Sequence, residues 1–234
     1  MIESKPITFE TPESYIVLPS WDVGIRGGSI SFTFQTNEPN GVIMYNSGMQ
    51  NSDFFAFELL DGYLNFIIDL GSGSQKVKVF PKRVNDQKPH TVLLEHGTEK
   101  RGTVYFDGQP KHYVVPGDSS HLDLDGVLYV GGINDYKNIY TLPKELWAGI
   151  LKYGFVGCLL DLAVNGNKVD ILTVARKQRR SGIKDNCRVM EPQCMTRPCM
   201  HRGFCNEGWN RFVCDCRMTE YVGTICQTRK LCCF

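Results

Sequence analysis

The chain has 234 residues, of which 42% are hydrophobic and 22% charged, and its formal net charge is +1. This composition is typical of a globular protein of one or two domains and excludes a disordered chain. The near-neutral charge removes the electrostatic argument for nucleic-acid binding.

Residues 6–187 carry signals that are almost entirely those of β-strands. Ser29–Phe34 alternates polar and apolar side chains with a period of two, as a half-buried strand does. Further strands are predicted at Gly41–Tyr45, Phe54–Leu60, Tyr63–Leu70, Val77–Phe80, Thr91–Glu95, Thr103–Phe106, Val127–Val130 and Val156–Val164. Asp61-Gly62, between Phe54–Leu60 and Tyr63–Leu70, is a type I′ hairpin signature. Short strands at this spacing, separated by Gly, Asn and Asp, predict a β-sandwich.

Two segments of the same region have helical character, Leu142–Leu151 and Val169–Gln178, and both are short. The sandwich is therefore predicted to be all-β apart from these two short helices. It ends near Cys187 and is followed by a linker at 188–193.

The cysteines are concentrated at the end of the chain, and none precedes Cys158. Six of them lie between Cys194 and Cys226, at spacings x4, x5, x8, x1 and x9. A segment this short cannot bury a sufficient apolar core, so disulfides must stabilise it, and sequence alone allows fifteen pairings of six cysteines. Disulfides indicate an oxidising, extracellular compartment.

The start of the chain carries no sign of how it reaches that compartment. Met1–Pro6 has no apolar segment typical of a signal peptide, and no apolar run is long enough to span a bilayer. We therefore expect the chain to be part of a longer secreted or membrane-anchored protein at the cell surface.

Residues 194–226 resemble an EGF-like module through the Cys214-Asp-Cys216 step and the aromatic-x-Gly at Tyr221 to Gly223. The resemblance implies the pairs Cys194–Cys205, Cys199–Cys214 and Cys216–Cys226. Of the remaining cysteines, Cys158 and Cys187 would close a loop of about thirty residues late in the sandwich, worth on the order of 3 kcal/mol. Cys232 and Cys233 fall in a tail, residues 227–234, that is predicted to be unstructured.

A wider resemblance covers the chain from Pro6 to Gln227. It is carried by Pro6-Ile-Thr-Phe9, Glu38-Pro-Asn-Gly41, Asp53-Phe-Phe-Ala56, Leu128-Tyr-Val-Gly-Gly132, Tyr153-Gly-Phe-Val-Gly-Cys158 and Gly208-Trp-Asn-Arg-Phe-Val-Cys-Asp-Cys216. These segments resemble the α-neurexin family, in particular a third laminin-G/LNS domain with the EGF-like module that follows it. The resemblance implies an all-β protein: a laminin-G/LNS jelly-roll sandwich followed by a small disulfide-rich EGF-like module.

The same resemblance implies a function in synaptic cell adhesion, with Ca²⁺-dependent recognition of extracellular protein partners. It places a Ca²⁺ site on the rim of the sandwich, formed by the carboxylate of Asp53 and the backbone carbonyls of Leu70 and His121. One carboxylate gives modest charge compensation, so the expected dissociation constant is weak, about 10⁻⁴–10⁻³ M. The alternative is that Asp53 only solvates the end of a strand.

A second function class is a matrix laminin-G protein that binds sulfated or dystroglycan-type glycans. The basic run Arg176–Arg180, with Lys184 beyond it, is the feature that favours this class, although such a run is also typical of a solvated face. An enzyme is not expected, because the five histidines show neither metal-ligand spacing nor a nucleophile elbow. Nucleic acid and membrane insertion are likewise not expected.

Overall fold

The computed structural model describes residues 5–24, 26–48, 53–133, 142–187 and 191–230. The chain divides into two compact units, residues 1–187 and residues 188–234, which are described separately. The strands described in the first unit are β1 (Ile7–Phe9), β2 (Ile16–Leu18), β3 (Gly28–Gln35), β4 (Gly41–Ser47), β5 (Asp53–Leu60), β6 (Tyr63–Leu70), β7 (Ser74–Lys78), β8 (His90–His96), β9 (Arg101–Phe106), β10 (Gln109–Val114), β11 (Leu128–Val130), β12 (Gly157–Val164), β13 (Asn167–Lys168) and β14 (Ile183–Lys184). Its described helices are α1 (Trp147–Ile150) and α2 (Ile171–Gln178).

The strands form two antiparallel sheets. One has the order β10-β9-β8-β3-β12-β1-β14, with β13 paired to β12, and the other has the order β2-β11-β4-β5-β6-β7. The β5–β6 hairpin turns through Asp61 and Gly62 with φ of 50° and 78°, the positive values that a type I′ turn needs. The predicted β-sandwich is confirmed.

Aromatic side chains join the two sheets through the main core. The Phe57 ring on β5 lies 5.3 Å from Phe32 on β3 of the opposite sheet and 4.9 Å from Phe66 on β6, between ring centroids. Such pairs add about 0.5–1.5 kcal/mol each beyond the area that they bury. Aromatic rings from both sheets thus meet in the main core.

A second, smaller core covers the outer face of the six-stranded sheet. Its buried members are Val42, Tyr45, Phe54, Ala56, Ile67, Leu146 and Ala148. Because the segment around α1 packs here, β5 and β6 are buried on both faces, which explains why both read as nearly continuous apolar runs instead of alternating. This outer core fixes the position of α1.

Both helices are shorter than the segments in which they were predicted. The segment 169–178 is helical from Ile171, because the Asp170 carboxylate caps the helix by accepting the N–H of Thr173 at 3.0 Å. Hydrogen bonds from Thr173 hold the pKa of Asp170 below its usual value. The segment 142–151 is helical only over Trp147–Ile150.

Strand β10 has no counterpart among the predicted strands. Its side chains are mostly exposed, and it contains Pro110, so its sequence shows no apolar alternation. It lies at the edge of the eight-stranded sheet, where proline and charge are tolerated and help to prevent aggregation. The hairpin signal Asp107-Gly108, whose residues have φ of 47° and 79°, does precede it.

The second unit is stabilised by disulfides. The structure pairs Cys194 with Cys205, Cys199 with Cys214, and Cys216 with Cys226, and in the first unit it pairs Cys158 with Cys187. Strands β15 (Phe204–Gly208) and β16 (Arg211–Asp215) form one hairpin, a 3₁₀ helix spans Gln193–Thr196, and β17 (Tyr221–Val222) pairs with β18 (Thr228–Arg229).

The unstructured tail predicted from residue 227 is therefore wrong for Thr228–Arg229, which pair with Tyr221–Val222. Lys230 continues this contact by donating its backbone N–H to the carbonyl of Glu220 at 2.7 Å. Cys232 and Cys233 lie outside the described residues, as do positions 188–190 of the predicted linker.

Candidate functional site

The rim of the sandwich brings together two of the predicted metal-site residues. Asp53 is the first residue of β5 and Leu70 the last residue of β6, and the two are directly opposite each other in the sheet register. The tight hairpin at Asp61-Gly62 sets this register. Pairing begins with Leu60 opposite Tyr63 and continues without a shift to Asp53 opposite Leu70. Leu70 itself is buried, and it belongs to the main core.

The Asp53 carboxylate faces inward across the rim. Asp53 is only 8% exposed, and its Oδ2 accepts the backbone N–H of Asp123 at 2.9 Å. Its Oδ1 lies against Gly71, where a Cβ would stand 2.7 Å from this oxygen. Gly71 also has φ of +86°, so glycine suits this turn for two reasons. Asp53 therefore does more than solvate a strand end.

The third predicted residue, His121, lies in the loop that Asp53 contacts, residues 117–127, here named the rim loop. His121 is exposed, and its Nδ1 is 3.1 Å from the hydroxyl of the adjacent Ser120. It precedes Asp123 by two residues, so the contact between Asp53 and Asp123 brings the backbone around His121 to the same edge as Leu70. The three residues thus belong to one part of the rim.

Polar side chains hold the rim loop in place, although the loop forms no strand. Asn46 on β4 is fully buried, and its Nδ2 donates to the carbonyls of Gly126 and Val127 at 3.3 Å and 3.2 Å. The Ser72 hydroxyl accepts the backbone N–H of Ser119 at 2.9 Å. This role of Asn46 was not predicted; its one signal in the sequence is a polar residue inside the apolar strand Gly41–Ser47.

A hard cation such as Ca²⁺ takes carboxylate, carbonyl and water ligands. Among the described residues, no group of three His, Cys, Asp or Glu side chains is placed to hold a metal ion. A site here would consequently depend on backbone carbonyls at the end of β6 and in the rim loop, together with Asp53. This is the donor set that the resemblance implied.

A cavity of about 360 Å³ opens beside the rim loop. Its walls are Asp22, Val23, Gly24, His96, Gly97, Thr98, Ser120, His121, Leu122 and Asp123. His96 is only 3% exposed, and its Nδ1 lies 2.8 Å from the Tyr113 hydroxyl, with the two rings stacked. Burial lowers the pKa of His96 to about 4 and raises the pKa of Tyr113, so both are neutral at pH 7.

We expect His96 to make the first unit acid-sensitive. The unfolded chain binds a proton at His96 near pH 6.5 and the folded chain only near pH 4, so stability falls as the pH falls through this window. Between pH 7 and pH 4.5 this group should cost about 2–3 kcal/mol of unfolding free energy. Urea unfolding of the wild type and of His96→Gln at both pH values measures it; equal pH dependence in the two proteins would contradict the assignment.

Two of the four cations in the basic run Arg176–Arg180 have contacts within the fold. Arg176 pairs with Asp185 at 2.9 Å, and Lys184 pairs with Glu10 at 2.6 Å. The Arg180 guanidinium lies 4.1 Å from the centre of the Tyr15 ring. These contacts favour a structural role for this face, since its charges are partly neutralised or stacked.

In the second unit, two carboxylates organise the backbone. Glu207 on β15 accepts the N–H groups of Gln193 and Cys194 at 3.0 Å and 2.7 Å, which fixes the start of the 3₁₀ helix. Asp215 is held by Arg217 through hydrogen bonds of 2.6–3.0 Å that lower the pKa of Asp215 to about 2. These contacts serve the small fold that the disulfides cross-link.

Comparison with known proteins identifies both the fold and the relatives. Residues 34–167 match the family model described as "Laminin G domain". The chain is 42% identical over 235 residues to "Neurexin-3a" of Danio rerio, 41% over 226 residues to "Neurexin 1" of Drosophila melanogaster and 38% over 237 residues to "Neurexin-2" of Mus musculus. These matches cover 94–95% of the chain but only 12–14% of each relative, so the chain spans a small part of their length.

Solved structures agree with this fold. The LG1-3 region of the laminin alpha2 chain matches with a TM-score of 0.69 at 24% identity, covering 81% of this chain and 36% of that one. Domains LG4-5 of the mouse laminin alpha1 chain match with a TM-score of 0.67 at 25% identity, covering 81% and 48%. The predicted laminin-G jelly roll is confirmed.

The family also decides the broad class of function. Neurexin and laminin G domains are non-enzymatic adhesion and receptor modules that bind extracellular protein or glycan ligands. The disulfides fit an extracellular location, and none of the helices in the described part of the chain is long and apolar enough to cross a bilayer. The resemblance to neurexins is confirmed: the chain belongs to the laminin G domain family and is similar to neurexins along almost its whole length.

Proposed function

We propose that the rim around Asp53 is a Ca²⁺-dependent protein-recognition surface of a cell-surface adhesion receptor, acting in synaptic adhesion as part of a longer membrane-anchored protein. The observation that carries this proposal is the meeting of Asp53, Leu70 and the rim loop at one edge of the sandwich. A bound cation would neutralise the carboxylate and tie the loop to the sheet through oxygen ligands from both.

The fixed backbone of the rim loop also supports recognition. A surface whose backbone is already held loses little conformational entropy on binding, so more of the contact energy appears as affinity. Asp118, His121, Asp123 and Asp125 are exposed along this loop. The loop therefore presents side chains to a partner from a backbone that Asn46, Asp53 and Ser72 hold.

Calorimetric titration with Ca²⁺ tests the site. We expect the wild type to bind with a dissociation constant of about 10⁻⁴–10⁻³ M, and Asp53→Asn to bind at least about tenfold more weakly, because the variant removes the only carboxylate of the proposed ligand set. Asn at position 53 still offers an oxygen to the N–H of Asp123, so the loop contact is preserved and the loss can be assigned to charge.

Asp161→Asn is the matched control for this titration. Asp161 is an exposed aspartate on β12 with φ of 53°, a backbone conformation that asparagine adopts readily. Its titration should equal that of the wild type. Unchanged Ca²⁺ heat in Asp53→Asn would refute the site, whereas equal losses in both variants would indicate a nonspecific charge effect.

A further inference from the structure

One exposed apolar surface of the first unit is not used by the proposed rim site. It is the turn formed by residues 146–153, here named the Trp147 turn, which contains α1. Four large apolar side chains are exposed there: Trp147 by 57%, Leu151 by 53%, Tyr153 by 43% and Ile150 by 37%. Exposed apolar groups of this size in one turn generally mark a contact surface.

Three of these side chains share one face of the turn. Trp147, Ile150 and Leu151 are spaced i, i+3 and i+4, so they lie side by side on a helical turn. The opposite face is formed by Leu146 and Ala148, which are fully buried in the outer core. The apolar face therefore points away from the sandwich on a base that is packed against it.

The base of the turn is fixed by a buried carboxylate. Glu58 on β5 is fully buried; its Oε2 accepts the backbone N–H of Ala148 at 2.8 Å, and its Oε1 pairs with Lys76 at 2.6 Å. Lys76 in turn donates to the carbonyl of Glu145 at 2.9 Å. The turn is thus tied to the sheet on both sides of Trp147.

Most backbone N–H groups of the turn have acceptors. The N–H groups of Ile150, Leu151, Lys152 and Tyr153 donate to carbonyls within the turn at 2.7–3.0 Å. Unpaired backbone donors are the main cost of placing irregular backbone in a medium poor in water. This turn would bring few of them into such a medium.

Two lysines flank the apolar face in the sequence. Lys144 and Lys152 are both exposed, the former with 92% of its side chain accessible. The nearby acid, Glu145, has 22% of its side chain exposed and lies 3.9 Å from Lys144. Segments that anchor a protein at the membrane–water interface typically contain tryptophan and tyrosine with lysines beside them. The rings lie at the level of the lipid headgroups, and the ammonium groups reach the phosphates.

We propose that the Trp147 turn contacts the surface of a lipid bilayer, with Trp147 and Leu151 among the headgroups and Lys144 and Lys152 on lipid phosphates. The exposed apolar area is on the order of 400 Å², about half of what each side of a standard protein interface buries. A second copy of the chain would bring the lysines of both turns together, which is unfavourable. Lipid contact, in contrast, grows with each added side chain and needs no matching surface.

Tryptophan fluorescence of the whole chain reports on this surface directly. Trp21 and Trp209 are 1% and 3% exposed, so the difference spectrum between the wild type and Trp147→Phe isolates the exposed Trp147. On adding phosphatidylcholine vesicles we expect this emission to shift to shorter wavelength. Vesicles that also contain phosphatidylserine should give a larger shift and more co-sedimentation, and Lys144→Glu should remove that difference.

Substitutions separate the proposed contact from other causes. Trp147→Ala should lower the co-sedimented fraction at least about fivefold, because it removes the largest exposed apolar group, whereas Trp147→Phe should retain most of it. Val114→Ala, at a residue 55% exposed on the edge strand β10, is the matched control and should bind as the wild type does. Binding should persist in a Ca²⁺ chelator and in Asp53→Asn, so failure of the rim site would leave this result unaffected.

Several results would overturn the proposal. These are a Trp147 emission that is already shifted without vesicles, a shift that depends on protein concentration alone, no response to either vesicle, or equal co-sedimentation of Trp147→Ala and the wild type. The first two would indicate that protein already covers the turn, and the last two that it does not meet lipid.

Discussion

Replacing Glu58 by alanine should cost the first unit about 3 kcal/mol of unfolding free energy or more. The substitution leaves Lys76 without its carboxylate and the N–H of Ala148 without an acceptor, and breaking a buried pair from one side typically costs about 3–5 kcal/mol. For a unit of this size the melting temperature should fall by roughly 10 °C.

Two variants show which part of this contact matters. Glu58→Gln keeps an oxygen for Ala148 and removes only the charge, so it should be intermediate. The double substitution Glu58→Leu with Lys76→Met replaces both charges by apolar groups and should recover part of the loss, as apolar replacements of buried pairs often do. Amide exchange at Ala148 should accelerate in Glu58→Ala before global unfolding. A loss below about 1 kcal/mol would mean that the outer core alone holds α1.

Replacing Asn46 by alanine should destabilise the first unit by about 3 kcal/mol and, if the proposed rim site binds Ca²⁺, weaken that binding at the same time. Asn46 is fully buried, and its Oδ1 accepts the N–H of Trp21 at 2.9 Å while its Nδ2 donates to the rim loop carbonyls of Gly126 and Val127. Each of these groups loses a partner, and an unsatisfied buried group costs about 1–3 kcal/mol.

Asn65→Ala is the matched control for Asn46→Ala. Asn65 is also a buried asparagine in the six-stranded sheet, 7% exposed, but among the described residues its side chain donates to the carbonyl of Tyr63, two residues away, and to no distant loop. Its loss should stay below about 1 kcal/mol and leave Ca²⁺ binding unchanged. Chemical unfolding measures the stability of both variants, and calorimetry measures their Ca²⁺ affinity. An unchanged Ca²⁺ affinity in Asn46→Ala would show that the proposed site does not depend on the hydrogen bonds of Asn46.

Strands with a strong local pattern were predictable from the sequence, and strands defined by their neighbours were not. Tyr63–Leu70 was predicted with the bounds that the structure shows, because its apolar residues and the Asp61-Gly62 turn are local signals. Gln109–Val114 was missed because an exposed edge strand needs no apolar alternation; its pairing with Arg101–Phe106 defines it. The short strand Ile7–Phe9 depends in the same way on pairing with residues 157–159 and 183–184.

The candidate site follows the same division. The Asp53–Leu70 pairing could be anticipated, because one hairpin connects the two residues and its turn sets the register. The contact between Asp53 and Asp123 joins residues 70 positions apart, and the hydrogen bonds of Asn46 to Gly126 and Val127 join residues at least 80 positions apart. No local propensity or periodicity encodes such partners, since they meet only when the sheets have packed.

By itself, the sequence determined what depends on near neighbours in the chain: the hairpins, the all-β class, the division between a large sandwich and a cysteine-rich segment, and the family. Only the tertiary structure decided which polar side chains are buried and what they hold. Glu58 lies within an apolar strand and gives no sign that it fixes Ala148, and Trp147 gives no sign that it is exposed. The physical reason is that burial and long-range hydrogen bonds depend on how the sheets pack together, whereas periodicity and turn conformation depend on residues that are neighbours in the chain.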